Sequence, residues 1–114
     1  METKEKLYIL WTSGEKFTFD EMVFMYALNS LKHHWWKEVT LIIWGASAML
    51  AGEDFVVQQK IKELSEAGVH ITACKGCADD LSLSGTFEKM GIEVKYWGVP
   101  LTKILRSEAK LITV

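Results

Sequence analysis

The chain contains two cysteines, Cys74 and Cys77, and both stand within the stretch VHITACKGCADDL, Val69 to Leu81. A β-type run, Val69 to Ala73, leads into the Cys-x-x-Cys, and ADDL begins something helical after it. This spacing puts Cys74 at the end of a strand and Cys77 in the first turn of a helix, where unpaired N–H groups and the helix dipole favour negative charge. Lys75 adds a nearby cation, partly opposed by Asp79 and Asp80. Such a setting lowers a thiol pKa, and the thiolate is the nucleophile, so the corner suits persulfide or disulfide exchange.

Other chemistries compete for the same two residues. A zinc site needs about four ligands, and His33, His34 and His70 are not at ligand spacing from the pair, so no metal is expected. Thioredoxin-type oxidoreduction asks for a different strand pattern and a proline facing the motif, for which Pro100 in WGVP is only a loose match. Inert, buried cysteines are the plain alternative, since free cysteine is often core. His70 shares a strand face with Thr72 and Cys74 by the two-residue period. It reads either as an acid or base for the thiol or, more simply, as a strand histidine satisfied locally. His33 and His34, in KHHWWK, fit the carboxyl end of a helix, where positive charge suits the dipole.

Chemistry in open parallel sheets gathers at the carboxyl ends of strands. The other corners of that kind are WTSGE, WGASA and WGVP, which supply Trp11, Ser13 and Gly14, then Trp44 and Gly45, then Trp97 and Gly98. The tryptophans read as core or interface packing, or else as an apolar rim around a reactive thiol. The glycines would admit a ligand close to the backbone, yet none belongs to a dinucleotide or P-loop pattern, and no cofactor is expected.

The elements that must position these corners are short and alternate in type. Runs rich in Ile, Val, Leu, Thr and aromatics predict strands at Leu7 to Trp11, Val39 to Trp44, Val69 to Ala73, Glu93 to Trp97 and Leu111 to Val114. Between them, helical spacing predicts Thr18 to His34, Glu53 to Ala67 ending at Gly68, a segment in two pieces around SLSG closed by Gly91, and Leu101 to Ser107 after Pro100. The first helix carries Phe19, Met22, Val23, Tyr26 and Ala27 on one stripe, with Phe24, Met25 and Leu28 outside it. A helix apolar nearly all round predicts subunit contact. In the second, Val57, Ile61 and Leu64 face inward. Alternating strands and helices give a parallel sheet with helices on both faces, and residues 1 to 114 read as a single domain.

Composition narrows the function classes. With 114 residues, a net charge of −2, one proline and about half its residues hydrophobic, the chain reads as an ordinary globular protein with a core that needs no staples. It is not basic enough for nucleic acid. The run LIIWGASAMLA is too short for a bilayer span, and METKEKLYIL lacks the apolar region of a secretory leader, so a cytoplasmic, reducing setting is expected. Five tryptophans and five methionines are a large apolar load for this length and add to the expectation of a homo-oligomer.

ACKGCADDL after a strand, with LIIWGASA upstream and GIEVKYWGVPLT downstream, resembles the DsrE/DsrF-like family, which includes the sulfur-relay Tus components. The resemblance covers nearly the whole chain. It implies a three-layer α/β/α sandwich on a five-stranded parallel sheet, of flavodoxin- or Rossmann-like architecture, assembled into trimers or hexamers. It also implies a persulfide on the cysteine after the third strand, here Cys74, with a protein sulfur donor and acceptor. Cys77 matches a second cysteine that only some members carry, and at Ser82 the family often has glycine. Two functions follow from different classes. One is a sulfur carrier or sulfurtransferase subunit; the other is a non-catalytic oligomeric binding or scaffold protein of the same fold.

Overall fold

The computed structural model describes residues 5–114; Met1 to Lys4, part of the stretch read for a leader, lie outside the described residues. Five strands, β1 (Lys6–Trp11), β2 (Glu38–Ile43), β3 (His70–Cys74), β4 (Glu93–Lys95) and β5 (Lys110–Thr113), form one sheet of order β4-β3-β2-β1-β5. Every pairing is parallel. Seven α-helices fill the connections: α1 (Lys16–Thr18), α2 (Met25–Lys32), α3 (Ala46–Glu53), α4 (Phe55–Glu66), α5 (Lys75–Asp80), α6 (Ser84–Lys89) and α7 (Gly98–Leu105). None of the described helices is long and apolar enough to cross a membrane.

The strand order decides how the two faces are covered. From β1 to β4 each crossover steps the same way along the sheet, and right-handedness then places α1 to α6 on one face. Only the return from β4 to β5 steps the other way, which puts α7 alone on the opposite face. Packing agrees with this geometry. Leu7, Ile9, Trp11, Leu41, Ile43 and Ile71 join Phe19, Val23, Val57, Ile61, Leu64 and Phe87 in the main core. A much smaller second core holds Ile42, Cys74 and Trp97, with Leu101 and Ile104 of α7 against it. The three layers are therefore unequal.

Three helical expectations need correction. Residues Phe19–Phe24 form a π-helical segment between α1 and α2. Its extra residue per turn rotates the helix face, so that Phe24, outside the predicted stripe, is buried with Phe19 and Val23. The inference from that helix to a subunit contact loses part of its basis, although Phe17 and Met25 are exposed. The second correction is α3, which begins at Ala46, well before the predicted start at Glu53. The helix breaks at Asp54, whose extended backbone lets its carboxylate accept from Val57 N–H at 2.9 Å and cap α4. Small residues and a glycine in ASAMLAGE hid this helix from a reading based on periodicity. In α7, Pro100 lies within the first turn rather than before it, where its missing N–H costs nothing.

Gly52 shows how tightly the main layer closes. A β-carbon there would lie 2.3 Å from Leu83 Cδ1 and 3.0 Å from Leu83 Cγ. Gly52→Ala should lower stability by about 1 kcal/mol, because overpacking of roughly 1–3 kcal/mol outweighs the gain of up to about 1 kcal/mol in helix propensity. Denaturant midpoints would check it. Adding Leu83→Ala should abolish the penalty specific to Gly52→Ala, giving a non-additive cycle; simple additivity would disprove the clash.

Candidate functional site: the thiol corner at the end of β3

Both cysteines are free thiols. Cys74 is the last residue of β3 and the N-cap of α5, with extended backbone, and Cys77 lies in the first turn. Alternation along β3 sends Ile71 and Ala73 into the main core and Thr72 and Cys74 to the second face. There Cys74 is only 7% exposed, packed with Ile42 and Trp97. Cys77, half-buried, contacts both cores and is the more accessible thiol.

The β2–α3 corner reaches over to Cys77. Gly45 adopts φ 82 and ψ −141, a region open to glycine almost alone. This turn aims the Gly45 N–H at the Cys77 sulfur, 3.4 Å away. Ser47 fixes the same corner: its hydroxyl donates to the Trp11 carbonyl at 2.5 Å and accepts from Trp44 N–H at 3.1 Å. Burial nevertheless pushes the Cys77 thiol up in pKa. The Gly45 N–H works against that shift, and Cys74 beside it adds to it. Desolvation thus outweighs the directed Gly45 N–H at Cys77.

Lys75 contributes less charge than its position promised. Its ammonium is paired with Asp79 one turn on, at 3.1 Å, and that carboxylate holds the Lys75 pKa up. Ser84 and then Lys75 hold Asp79 down. Ser82, where the resembled family often has glycine, has φ 58, a left-handed conformation with a serine in it. His70 is bonded to Glu93, Nε2 to Oε1 at 3.0 Å. It sits four residues before Cys74, about 13 Å along the strand, so the local partner accounts for it and the thiol lies out of its reach.

The remaining candidates divide between the two faces. Trp44 and Trp97 pack in the second core with Cys74. Trp97 is anchored there: its Nε1–H donates to Thr72 Oγ1 at 2.9 Å, and that hydroxyl donates to the Glu93 carbonyl at 2.8 Å. Trp11 lies on the other side of the sheet, stacked on Phe19 with ring centroids 4.7 Å apart, and does not line the thiol corner. Ser13 N–H, with Thr12 N–H and hydroxyl, donates to the Val114 carbonyl, stitching β1 to the last residue. Gly14 borders an open cleft of about 420 Å³ with Ala46, Met49, Leu50, Glu53 and Asp54, away from both cysteines. Gly98 opens α7 beside Val99. Among the described residues no group of three or more His, Cys, Asp or Glu could hold a metal ion.

Sequence reasoning missed Thr72 as the anchor of Trp97, and it missed Lys95, which stands across from Cys74 in the β3–β4 register. No local pattern signals either one. Both depend on which residues of β4 pair with β3.

Comparison with solved structures places this geometry in context. The chain is similar to the conserved protein of unknown function BT1422 from Bacteroides thetaiotaomicron, with 40% identity over 96% of this chain and 95% of that one and a TM-score of 0.94. It is also similar to the ychN protein from E. coli, with a TM-score of 0.68, 17% identity, and 98% and 100% of the two chains covered. At that identity the likeness carries the fold alone. Neither a family model nor a curated protein matches the chain.

The raised pKa of Cys77 has a measurable sign. In a Cys74→Ser variant, where burial still favours the neutral thiol, the alkylation rate of Cys77 should rise at higher pH than that of a small free thiol. A curve at or below the free thiol's would show that the helix start and Gly45 win instead. The same shift makes the stabilising contribution of Cys77 complete below the unfolded-chain thiol pKa and lost as pH rises through the folded one.

Proposed function

On the premise that the chain belongs to the same family as BT1422 and has the DsrE/DsrF-like fold shared with ychN, we propose that it is a sulfur carrier or sulfurtransferase subunit. The observation that carries this reading is the pair of free thiols in mutual contact at the carboxyl end of β3, with a backbone N–H directed at one of them. Cys74 is the carrier. Its thiolate attacks the outer sulfur of a donor, a new sulfur–sulfur bond forms, and the donor's thiolate leaves. An acceptor thiolate, on a partner protein, then attacks the outer sulfur of the persulfide and Cys74 leaves as thiolate.

Cys77 supplies a second exit. Its thiolate attacks the inner sulfur, closing a Cys74–Cys77 disulfide, and the outer sulfur departs as hydrosulfide. Two thiols are oxidised by two electrons as the sulfane sulfur is reduced by two, so no other oxidant is required. The burial of Cys74 is the observation that favours the second reading, a binding or scaffold protein with inert core cysteines.

Intact mass after treatment with a sulfane-sulfur donor separates the two. Wild type should gain one sulfur, Cys74→Ser should gain none, and Cys77→Ser should keep its persulfide longer. Loading retained in Cys74→Ser but lost in Cys77→Ser would reverse the roles. No loading of wild type by any donor would leave the scaffold reading.

We propose also that the chain acts as a homo-oligomer, a trimer or hexamer. Phe17 at 68%, Phe55 at 71% and, on the α7 side, Val99 at 67% exposed are large apolar groups left open in the single chain. Light scattering should report a multiple of the chain mass. A monodisperse monomer across a wide concentration range would refute this.

A further inference from the structure

Cys74 has a cation beside it that the Cys-x-x-Cys itself does not supply. In the β3–β4 ladder it stands directly across from Lys95, two pairs beyond Thr72 and Glu93. Paired residues on neighbouring strands lie about 4.8 Å apart and point to the same face. For Lys95 this is the face of Cys74, since its ammonium sits 4.7 Å from the centroid of Trp97, and Trp97 packs with Cys74. Thr72 holds that indole in place, so the lysine rests over a fixed ring at cation–π range. Its carboxylate neighbour, Glu93, is 3.9 Å away, beyond hydrogen-bond reach, and bonds His70 instead. Lys75, by contrast, is paired with Asp79 at 3.1 Å. Of the two lysines flanking Cys74, Lys95 carries the less compensated charge.

We propose that Lys95 binds anionic sulfur at Cys74: the oxyanion end of a thiosulfate-type donor during loading, and the persulfide anion afterwards. This rests on the reading of Cys74 as carrier and assigns its donor class. The Cys74 thiolate attacks the sulfane sulfur of thiosulfate, a bond from Cys74 to that sulfur forms, the sulfur–sulfur bond of thiosulfate breaks, and sulfite leaves with the electron pair. Total charge is unchanged and no oxidant enters. Negative charge is present at the mouth of the site throughout, which is where the ammonium of Lys95 acts.

The test begins without sulfur transfer. In a Cys77→Ser background, Cys74 is alkylated with iodoacetate, an anion, and with iodoacetamide, a neutral reagent of similar size. Their rate ratio reports local potential and cancels changes in access. Lys95→Gln should lower the ratio by about threefold to tenfold, Lys95→Arg should restore it, and Lys75→Gln should move it less. An unchanged ratio in Lys95→Gln overturns the proposal whether or not the protein carries sulfur. Loading from thiosulfate, read by intact mass, should then slow in Lys95→Gln and recover in Lys95→Arg; equal loading overturns the donor assignment. Loading of wild type from a neutral organic polysulfide but never from thiosulfate overturns the donor class and leaves the carrier reading standing. A ratio that responds to Lys95 in a protein that takes sulfur from neither donor overturns the carrier reading itself and the donor class with it.

Discussion

All pairings in the sheet are parallel, so every connection must climb back over one face, and right-handed crossovers then fix which face it takes. The rest of the molecule follows from that constraint. Three crossovers in one direction load one face with α1 to α6 and their core, and a single return leaves the other to α7. The fully covered face is packed chiefly with apolar groups. The lightly covered one holds a thiol beside an indole whose N–H donates to a threonine, together with a row of charges at its margin: His70, Glu93 and Lys95. The thiol corner lies where β3 emerges between these two environments, and Cys77 touches both.

Within that corner two effects of opposite sign meet at Cys77. A helix start and a directed N–H favour the thiolate, each by an amount typical of one partly exposed interaction, about 0.3–1 kcal/mol for the dipole. Burial favours the neutral thiol, and for Cys77 it outweighs the Gly45 N–H. α5 spans only Lys75–Asp80, and its dipole is correspondingly small. An activated cysteine therefore has to draw on charge from outside its own helix, and the sheet register is what brings such charge to Cys74.

The strands were legible within about a residue at most ends because each is a short run of β-branched and aliphatic residues, and β-type runs state their own limits. β4 was the exception, since it ends at Lys95 and Tyr96 and Trp97 belong to the approach to α7. The break around SLSG and the inward face of α4 were legible from local pattern too. What escaped was non-local. The π turn at Phe19–Phe24 changes which residues are buried without changing composition. The small residues of Ala46–Glu53 form a helix because Ser47 and Gly45 anchor its start, not because its spacing demands one. Trp11, Trp44 and Trp97 look equivalent as residues that close strands, yet parity and register send Trp11 to one face and the other two to the opposite one. Lys95 could be placed beside Cys74 only once β4 had been aligned on β3, across two intervening helices.

The position of β5 carries a consequence for how the chain is made. β1 is the second strand from one edge, and its outer partner is Lys110–Thr113, more than a hundred residues downstream. During synthesis β1 can pair with β2, then β2 with β3, in the order in which they emerge, and the main core can condense behind them. One margin of β1 stays open throughout, a row of free N–H and C=O groups with nothing to pair. Only when Val114 arrives can its carbonyl receive Thr12 and Ser13. The sheet is thus sealed by a segment made after all its other strands, and until then the nascent chain presents a parallel edge to any neighbour that can add a strand.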